Sequence, residues 1–310
     1  MLRIFVQYDD GTEAEIKNML TAVLNSDSDV PADDIEFTAP FDRRLAQARR
    51  IFAYSGDSLV FEGHTDEIIS IFDNSGAVIK ITARSLAGVL LDNEAEPVTY
   101  VNPSAPFIFE RHLKPFGLKS YDGDEIPFYG SLKIEKGMTH WQVLESFCRN
   151  RYACAPRVTG SGKAMMRGSD SGETVVFGSA GIPYFSAREY KSPCKLINEV
   201  KLRLDEYGGY SGSIKNSNPE CKSIRRVRYV NAVSDRTTVK TADKMIEIGN
   251  KNSYSLVLEC AGCRIDIMGR RAEVHDSLLG KTDGLRVARL RYSLGKDGET
   301  TSVTLRKEKF

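Results

Sequence analysis

The chain of 310 residues carries 43 lysines and arginines against 42 aspartates and glutamates, which gives a net charge of +1 at pH 7. Its length allows two or three packed units at roughly 100–200 residues per domain. Its positive and negative charges balance, so the composition does not indicate nucleic acid or an acidic membrane as an obligatory partner. Six cysteines are too few for a disulfide framework, and no apolar run approaches the roughly 20 residues of a membrane span, so composition predicts a soluble globular protein with reduced thiols.

The first 96 residues show the alternating pattern of β-strands. Apolar residues recur at every second position from Leu2 to Tyr8. Further strands are predicted at Ile35–Thr38 and near Arg50–Tyr54. This part of the chain should therefore form a small β-domain with little helix.

The stretch Phe61–Asp92 predicts a β-hairpin that runs directly into a short helix. Apolar residues alternate on both sides of the turn Asp73-Asn74-Ser75-Gly76, as expected of a half-buried hairpin. The polar residues of the second strand share the opposite face: Lys80, Thr82 and Arg84. Ser85 can then cap a helix that ends at Asp92-Asn93.

A change in composition marks the middle of the chain. Residues 97–127 are rich in proline and glycine, which interrupt any long element and predict a domain boundary near residues 97–106. The clearest helix follows, because Thr139 and Gln142 form a capping box before an apolar stripe. We expect this helix near residues 139–152, with Trp141, the single tryptophan, in the core.

The last third of the chain returns to β-structure, interrupted by a short helix that Thr241 would cap. Four strands are predicted there: Tyr254–Glu259, Arg264–Met268, Leu285–Tyr292 and Thr300–Leu305. The dipeptide Asp297-Gly298 suits a tight hairpin between the last two.

The order and spacing of these elements resemble the baseplate hub proteins of phage tails and related contractile injection machines. Within Phe61–Asp92 the resemblance lies in an F-x-G sequence, an acidic pair, and the sequences A-R-S-L-A and L-L-D. The residues concerned are Phe61, Gly63, Asp66-Glu67, Ala83-Arg84-Ser85-Leu86-Ala87 and Leu90-Leu91-Asp92. The resemblance covers most of the chain, since a helix at Gly137–Leu144 leads to a P-x-V sequence at Pro156–Val158 and a hairpin ends the chain.

This resemblance implies an α+β, mostly β, fold with two small β-barrel-like domains joined by a middle α/β unit. Residues 1–96 would form the first domain, residues 97–185 the middle unit and residues 237–310 the second domain. In this family, strands that return after the middle unit tend to complete the first barrel, and here they would be residues 186–236. A contiguous division near residue 185 is the alternative.

The resemblance also implies a structural function as the baseplate hub of a phage tail or phage-tail-like particle. A homotrimer of subunits with two similar domains would adapt the hexameric tail tube to the central spike. Its implied partners are further copies of itself, the tail tube protein, the spike protein and other baseplate proteins, with DNA only in transit through the channel. The protein would assemble in the bacterial cytoplasm and reside in the virion or tail-like particle.

No catalytic, cofactor-binding or metal-binding constellation follows from the sequence, so we expect no enzymatic activity and no cofactor. A P-loop requires G-x-x-x-x-G-K-[ST], but Gly162-Lys163 is followed by Ala164. The CxxC sequence of Cys260 and Cys263 lacks the second pair or the histidines of a zinc site. Because strands are predicted on both sides of it, we interpret it as a hairpin turn.

Arginines are the one group of side chains with a candidate role. They cluster at Arg225, Arg226 and Arg228, and at Arg286, Arg289 and Arg291. Alternate arginines on a strand share a face, so they could line a channel or an interface that meets an acidic neighbour. The alternative is an ordinary solvated strand face balanced by equally many acids.

Two other classes of function stay open. A module that binds host-surface glycans would need exposed aromatic residues in a cleft, and the candidates are Tyr184, Phe185, Tyr190, Tyr207 and Tyr210. A hub with cell-wall hydrolase activity would use Asp122 or Asp124 as its carboxylates.

Overall fold

The structure is a computed structural model, and it describes residues 2–74, 76–168, 173–203, 209–223, 225–231 and 235–307. β-Strands hold far more of these residues than the four α-helices do, which confirms the predicted α+β, mostly β, class. The chain divides into two compact units. Unit 1 comprises Met1–Glu173, Cys260–Arg270 and Ala288–Val303, and unit 2 comprises Thr174–Glu259, Arg271–Val287 and Thr304–Phe310.

Unit 1 is built on an antiparallel sheet. Its strands within the first 85 residues are β1 (Leu2–Tyr8), β2 (Glu13–Glu15), β3 (Thr21–Asp27), β4 (Asp34–Pro40), β5 (Ala48–Ser55), β6 (Ser58–Asp73) and β7 (Gly76–Ser85). They are hydrogen-bonded in the order β3-β4-β7-β6-β5-β1-β2. Every second side chain of β1 is buried, as predicted, because one face of the sheet covers the apolar core.

The predicted hairpin forms between β6 and β7. Asp73 pairs with Gly76 across the turn, and Ser75 falls outside the described residues. Ile79 and Ile81 of β7 are completely buried. Near the turn the second strand therefore contributes to the core, whereas β6 is buried only at its start, from Val60 to Gly63.

A short helix, α1 (Leu86–Asp92), follows the hairpin as predicted. Ser85 stands at the position before the first helical residue, but its hydroxyl makes no bond to the helix. Instead, the Ser85 hydroxyl accepts a hydrogen bond from the backbone N–H of Asp33 at 3.1 Å. The expected capping function is thus wrong, and the hydroxyl joins the start of α1 to the chain before β4.

Residues 97–168 form a small α/β segment within unit 1. Its elements are β8 (Thr99–Val101), α2 (Ala105–Ile108), β9 (Ser120–Tyr121), β10 (Ser131–Lys133), α3 (His140–Tyr152), β11 (Arg157–Val158) and β12 (Lys163–Met165). Thr139 and Gln142 form the predicted capping box of α3, with both reciprocal hydrogen bonds present. Trp141 is only 6% exposed and lies in one apolar cluster with Leu86 and Leu90 of α1, which confirms its place in the core.

Unit 2 holds most of the remaining elements. In chain order the elements after β12 are β13 (Val175–Gly178), β14 (Ser186–Lys191), β15 (Glu199–Arg203), β16 (Gly212–Lys215), β17 (Val227–Asn231), α4 (Asp235–Lys251), β18 (Tyr254–Ala261), β19 (Arg271–Asp276), β20 (Gly280–Gly295) and β21 (Gly298–Lys307). β13 pairs in parallel with β19, and β14 pairs antiparallel with β18. β15 lies between β16 and β17, and its buried Val200 and Leu202 share an apolar cluster with Ala242 and Ile246 of α4.

The boundary between the units falls within β18, β20 and β21. The part of β20 in unit 1 pairs with β3, from Arg289 opposite Asp27 to Leu294 opposite Ala22. The strand path in unit 1 therefore runs from β20 through β3 to β2, and β2 pairs only with β1 among the described residues. This sheet is not a closed barrel.

Two predicted elements differ in the structure. The strand expected at Arg264–Met268 is wrong, because the 3-10 helix Ile265–Ile267 takes its place and buries both isoleucines. The helix α4 begins at Asp235, so Thr241 lies inside it and does not cap it. The hairpin at the end of the chain forms as predicted, since β20 ends at Gly295 and β21 begins at Gly298. The domain boundaries expected from the sequence stay a prediction.

Candidate assembly surface

The F-x-G sequence of the resemblance is explained by the close approach of β6 and β7. A Cβ atom on Gly63 would lie 2.2 Å from the backbone oxygen of Arg84 and 2.8 Å from the ring of Phe61. Both distances are far below van der Waals contact, so only glycine lets this position pair with Ser85 in the ladder. Gly63 therefore serves the fold.

Glu62, the middle residue of the same sequence, is a buried carboxylate whose side chain is 1% exposed. Arg50 of β5 donates a hydrogen bond to one carboxylate oxygen. The Nζ atom of Lys119 lies 2.5 Å from the other oxygen. Two cations thus compensate the charge that burial would otherwise make costly, and they join the sheet of unit 1 to its α/β segment.

Arg84, in the A-R-S-L-A sequence, joins a strand to a helix. Its Nε atom lies 2.7 Å from Oδ2 of Asp66 on β6, and its Nη2 atom lies 2.7 Å from Oδ2 of Asp92 at the end of α1. The hydrogen bonds to Asp66 and then Asp92 raise the pKa of Arg84. Of the charged residues in the quoted sequences, Asp66, Arg84 and Asp92 therefore form structural ion pairs.

A second buried carboxylate, Asp33, lies beside Arg157 of the P-x-V sequence. Burial raises the pKa of Asp33, although the charge of Arg157 partly opposes it. The Nη2 atom of Arg157 is 3.6 Å from Oδ2 of Asp33, and it donates a hydrogen bond to the hydroxyl of Ser26 at 2.8 Å. Arg157 therefore connects β11 to the turn region between β3 and β4.

A pair of histidines lies inside the α/β segment of unit 1. The Nδ1 atoms of His112 and His140 are 2.9 Å apart, so one ring donates a hydrogen bond and the other accepts it. Nε2 of His112 is 3.2 Å from the hydroxyl of Tyr100, which accepts a hydrogen bond from Arg111 at 2.8 Å. Burial, then the charges of His140 and Arg111, lower the pKa of His112 to about 4. The ring whose Nδ1 atom accepts must be neutral. The two histidines are 28 positions apart, so no local sequence pattern indicated this pair.

The arginines of β20 divide between the two units. Arg289 and Arg291 lie on the exposed face of the strand in unit 1. Arg289 donates a hydrogen bond to Oδ2 of Asp27 at 2.6 Å, and Arg291 donates one to Oδ1 of Asn25 at 3.1 Å. Arg286 is half-buried in unit 2. The two exposed arginines therefore already have polar partners on β3.

The arginines near β17 form a different surface. We call residues 225–231 the basic edge. Arg225 and Arg228 are exposed, whereas Arg226 is half-buried and donates its backbone N–H to Oδ1 of Asn198 at 2.8 Å. Tyr229 is 58% exposed and forms an edge-to-face pair with the ring of Tyr210, with centroids 4.8 Å apart.

The outer half of β6 forms an exposed surface in unit 1. We call residues 66–73 the acidic edge. Ile69, Ile71 and Phe72 are 38%, 40% and 65% exposed. Phe72 contacts the ring of Phe41 with centroids 4.8 Å apart. The half-buried hairpin expected from the sequence is thus exposed along its first strand.

The carboxylates considered for a hydrolase are engaged in local structure. Oδ1 of Asp122 accepts hydrogen bonds from the backbone N–H groups of Met166 and Arg167. Burial opposes ionisation of Asp124, but hydrogen bonds and charges from Arg167 and Arg151 outweigh it and lower its pKa. The lowered pKa of Asp124 is the opposite of what a general acid at neutral pH requires.

An open pocket of about 420 Å³ in unit 2 is lined by Ser179, His275, Asp276, Ser277, Gly280 and Lys281. The Ser179 hydroxyl donates to the backbone oxygen of His275, and Nε2 of His275 lies 3.2 Å from the carboxylate of Glu273. Asp276 accepts a hydrogen bond from the hydroxyl of Tyr184. Serine and histidine here do not have the geometry of a nucleophile and its base.

The cysteines add no further site among the described residues. All six cysteines lie in the described part of the chain and no disulfide joins them. Cys260 is the buried penultimate residue of β18, and the 3-10 helix after Cys263 replaces the second strand that a hairpin turn would need. Within the described ranges, no three potential metal-ligand side chains come together. No helix there has both the length and the apolar character needed to cross a membrane.

The aromatic residues considered for glycan binding are partly exposed. Phe185, Tyr190 and Tyr210 are 66%, 47% and 40% exposed, and Tyr207 falls outside the described residues. Tyr184 is bonded to Asp276, as described for the pocket.

Comparison with known proteins shows which solved structures have a similar fold. No protein-family model and no curated protein matches the chain. Among solved structures, the tail protein of Neisseria meningitidis MC58 has a TM-score of 0.80 at 18% identity, over 99% of this chain and 97% of that chain. The 43 kDa tail protein of prophage MuSo2 from Shewanella oneidensis has a TM-score of 0.81 at 14% identity, over 99% of this chain and 98% of that chain. The chain has a phage tail-protein fold.

A third similar structure comes from a secretion system. The c3393 protein of Escherichia coli, a component of the type VI secretion system with structural similarity to the T4 bacteriophage tail proteins gp27 and gp5, has a TM-score of 0.58 at 10% identity. The match covers 93% of this chain and 73% of that chain. The tail-protein fold confirms the resemblance that the residues of Phe61–Asp92 indicated.

Proposed function

We propose that the protein is a structural component of the baseplate hub of a phage tail or phage-tail-like particle. The observation that carries this proposal is the match to two tail proteins over 97% and 98% of their own lengths, with TM-scores of 0.80 and 0.81. The match is not confined to one domain, because it spans 99% of this chain in both comparisons. Asp66, Arg84 and Asp92 form structural ion pairs, which suits a building block.

The finer proposal is a homotrimer that adapts the symmetry of the hexameric tail tube to that of the central spike. We propose residues 1–96 and 237–310 as two similar domains, with residues 97–185 between them. Three subunits then present six similar surfaces to the tube and a threefold arrangement to the spike. Other baseplate proteins are further partners, DNA passes only in transit, and assembly takes place in the bacterial cytoplasm.

In this proposal the arginine clusters lie at an interface between subunits or in the wall of the channel. Arg289 is paired with the carboxylate of Asp27 and Arg291 is hydrogen-bonded to the neutral amide of Asn25, so both suit a polar channel wall. Arg225 and Arg228 are exposed on the basic edge and suit contact with an acidic neighbour. Arg226, just before β17, and Arg286, on β20, are half-buried and therefore less available to a neighbour.

The decisive experiment is mass determination by light scattering of the purified chain, followed by averaging of negatively stained particles. We expect the mass of three chains and a ring with threefold symmetry. A stable monomer, even with tube and spike proteins added, would contradict the hub proposal.

The same preparation tests the rival functions. Binding on a glycan array would favour the exposed aromatic residues Phe185 and Tyr190 as a receptor-binding surface. Clearing of cell-wall material in a zymogram, lost in Asp122→Asn or Asp124→Asn variants, would favour a hydrolase. We expect neither result.

A further inference from the structure

The acidic edge is a strand edge that the described part of the chain leaves without a neighbour on one side. β5 accompanies β6 only as far as Arg50 opposite His64. Beyond that point, the described residues pair β6 with β7 alone. Exposed edges with apolar side chains are templates for pairing with another strand, and folded proteins normally shorten or cover them.

Charge decides which kind of strand can pair there. The acidic edge carries Asp66, Glu67 and Asp73, with no lysine or arginine. If two copies of this edge paired antiparallel about its centre, Glu67 of one copy would lie near Asp73 of the other, whereas Asp66 is already paired with Arg84. Like charges across a strand pair are destabilising, so pairing of the edge with itself is disfavoured.

The basic edge has the opposite properties. Residues 225–231 carry Arg225, Arg226 and Arg228 and no acid. β17 pairs only with β15 among the described residues, so its other side also lacks a neighbouring strand there. Tyr229 is 58% exposed, which offers an aromatic surface to the isoleucines and Phe72 of the acidic edge.

We infer that the acidic edge of one copy of the chain adds to the basic edge of a second copy. The inference deepens the proposed trimer and rests on it. Two different edges make a head-to-tail contact, which repeats from copy to copy and closes into a ring when each step turns by a third of a circle. Both edges of every copy are then occupied, which removes the risk of open-ended aggregation.

The area that one added strand can bury limits how much this contact stabilises the trimer. The five residues of β17 extend about 17 Å at about 3.3 Å per residue. One added strand of this length buries less than the roughly 800 Å² per partner of a stable interface. The edge contact therefore sets the register of neighbouring copies, and other surfaces supply the rest of the trimer interface.

A charge-reversal series in the full-length chain tests the inference. Glu67→Lys and Arg228→Glu each place like charges across the contact, and we expect each to raise the concentration at half-dissociation of the trimer at least about tenfold in light scattering on dilution. The double variant restores opposite charges and should recover most of the affinity. Glu125→Lys and Arg43→Glu, which change exposed residues outside both edges, are matched controls and should leave the trimer intact.

An apolar variant gives an independent measurement. Phe72→Ser should weaken the trimer, whereas Leu278→Ser, at a side chain 95% exposed outside both edges, should not. Unchanged melting of the monomeric fraction, followed by circular dichroism, shows that these exposed substitutions spare the fold.

The outcomes separate this inference from the hub proposal. A trimer that neither charge reversal weakens overturns the edge contact and leaves the hub proposal standing. Single variants that weaken the trimer without recovery in the double variant overturn the pairing of these two edges. A wild-type chain that stays monomeric at every concentration overturns both.

Discussion

Acidification should destabilise unit 1 through His112, which is 2% exposed. Burial, followed by the charges of His140 and Arg111, lowers the pKa of His112 from its ordinary 6.5 to about 4. Between these values the unfolded chain binds a proton at this ring and the folded chain does not. Stability therefore falls as the pH drops from about 6.5 to about 4 and is fully present above that range. At about 1.4 kcal/mol per pH unit, the complete loss is about 3 kcal/mol.

The groups that face the ring explain why it stays neutral. The hydroxyl of Tyr100 and the ring of His140 occupy both ring nitrogens of His112, and Arg111 approaches through Tyr100. No carboxylate among these partners stabilises an imidazolium at His112. Burial also lowers the pKa of His140, against a hydrogen bond with the backbone of Glu94 that favours its charged form.

The assay is thermal unfolding at a series of pH values from about 7.5 to about 4, followed by circular dichroism. We expect the melting temperature of the wild type to fall more steeply over this range than that of His112→Phe, which has no ring to protonate. Leu278→Ser, at an exposed side chain without a titratable group, should keep the wild-type slope. If His112→Phe loses as much stability on acidification as the wild type, the buried histidine pair is not the cause.

Three further predictions concern the stability of unit 1. Gly63→Ala should cost about 3 kcal/mol, because its Cβ atom would meet the backbone of β7, whereas Gly295→Ala has no atom within 4 Å and should be nearly neutral in chemical denaturation. Trp141→Ala should cost about 3–5 kcal/mol by leaving a cavity in the core of the α/β segment, and an equally stable variant would contradict the 6% exposure of this ring. Thr139→Ala should cost about 1 kcal/mol by removing one half of the capping box, and thermal melting would show no change if the box were not formed.

Elements with strong local signals could be predicted from the sequence. The capping box of α3 depends on Thr139 and Gln142, which are three positions apart, so a short window contains the whole signal. The second strand of the hairpin has the same property, because buried positions alternate with less buried ones from Val78 to Ser85.

Weaker local signals led to the two wrong elements. Ile265 and Ile267 alternate as in a strand, but a short 3-10 helix can bury the same two side chains. The backbone N–H of Arg264 donates a hydrogen bond to the hydroxyl of Thr301. Thr301 is 37 positions away and so lies outside any local sequence pattern. For α4, Thr241 looked like a cap because threonine is common both at helix starts and elsewhere.

Partners distant in the sequence could not be predicted at all. Lys119 is 57 positions from Glu62, and Arg157 is 131 positions from Ser26. Spacing rules connect residues within one element, whereas these pairs depend on how elements pack. The only signal in the sequence was a charged residue, Glu62, in the part of β6 that is buried on both faces. A buried carboxylate there needs cationic partners.

The face assignment of β7 needed the structure for the same reason. Lys80 lies 2.9 Å from Oε2 of Glu36 on β4, and Arg84 is held by Asp66 and Asp92. These side chains are half-buried among polar partners of neighbouring strands. Alternation in the sequence shows which residues share a face, but it does not show what that face meets.

The pairing of β3 with β20 sets the order in which unit 1 can be completed during synthesis. Asp27 and Arg289 are 262 positions apart, so the side of β3 that receives β20 stays uncovered until residue 289 has left the ribosome. At 5–20 residues per second this delay is roughly 13–50 s. A nascent chain cut short by premature termination would carry an uncovered strand for good, so quality-control proteases and chaperones should recognise truncated products by it.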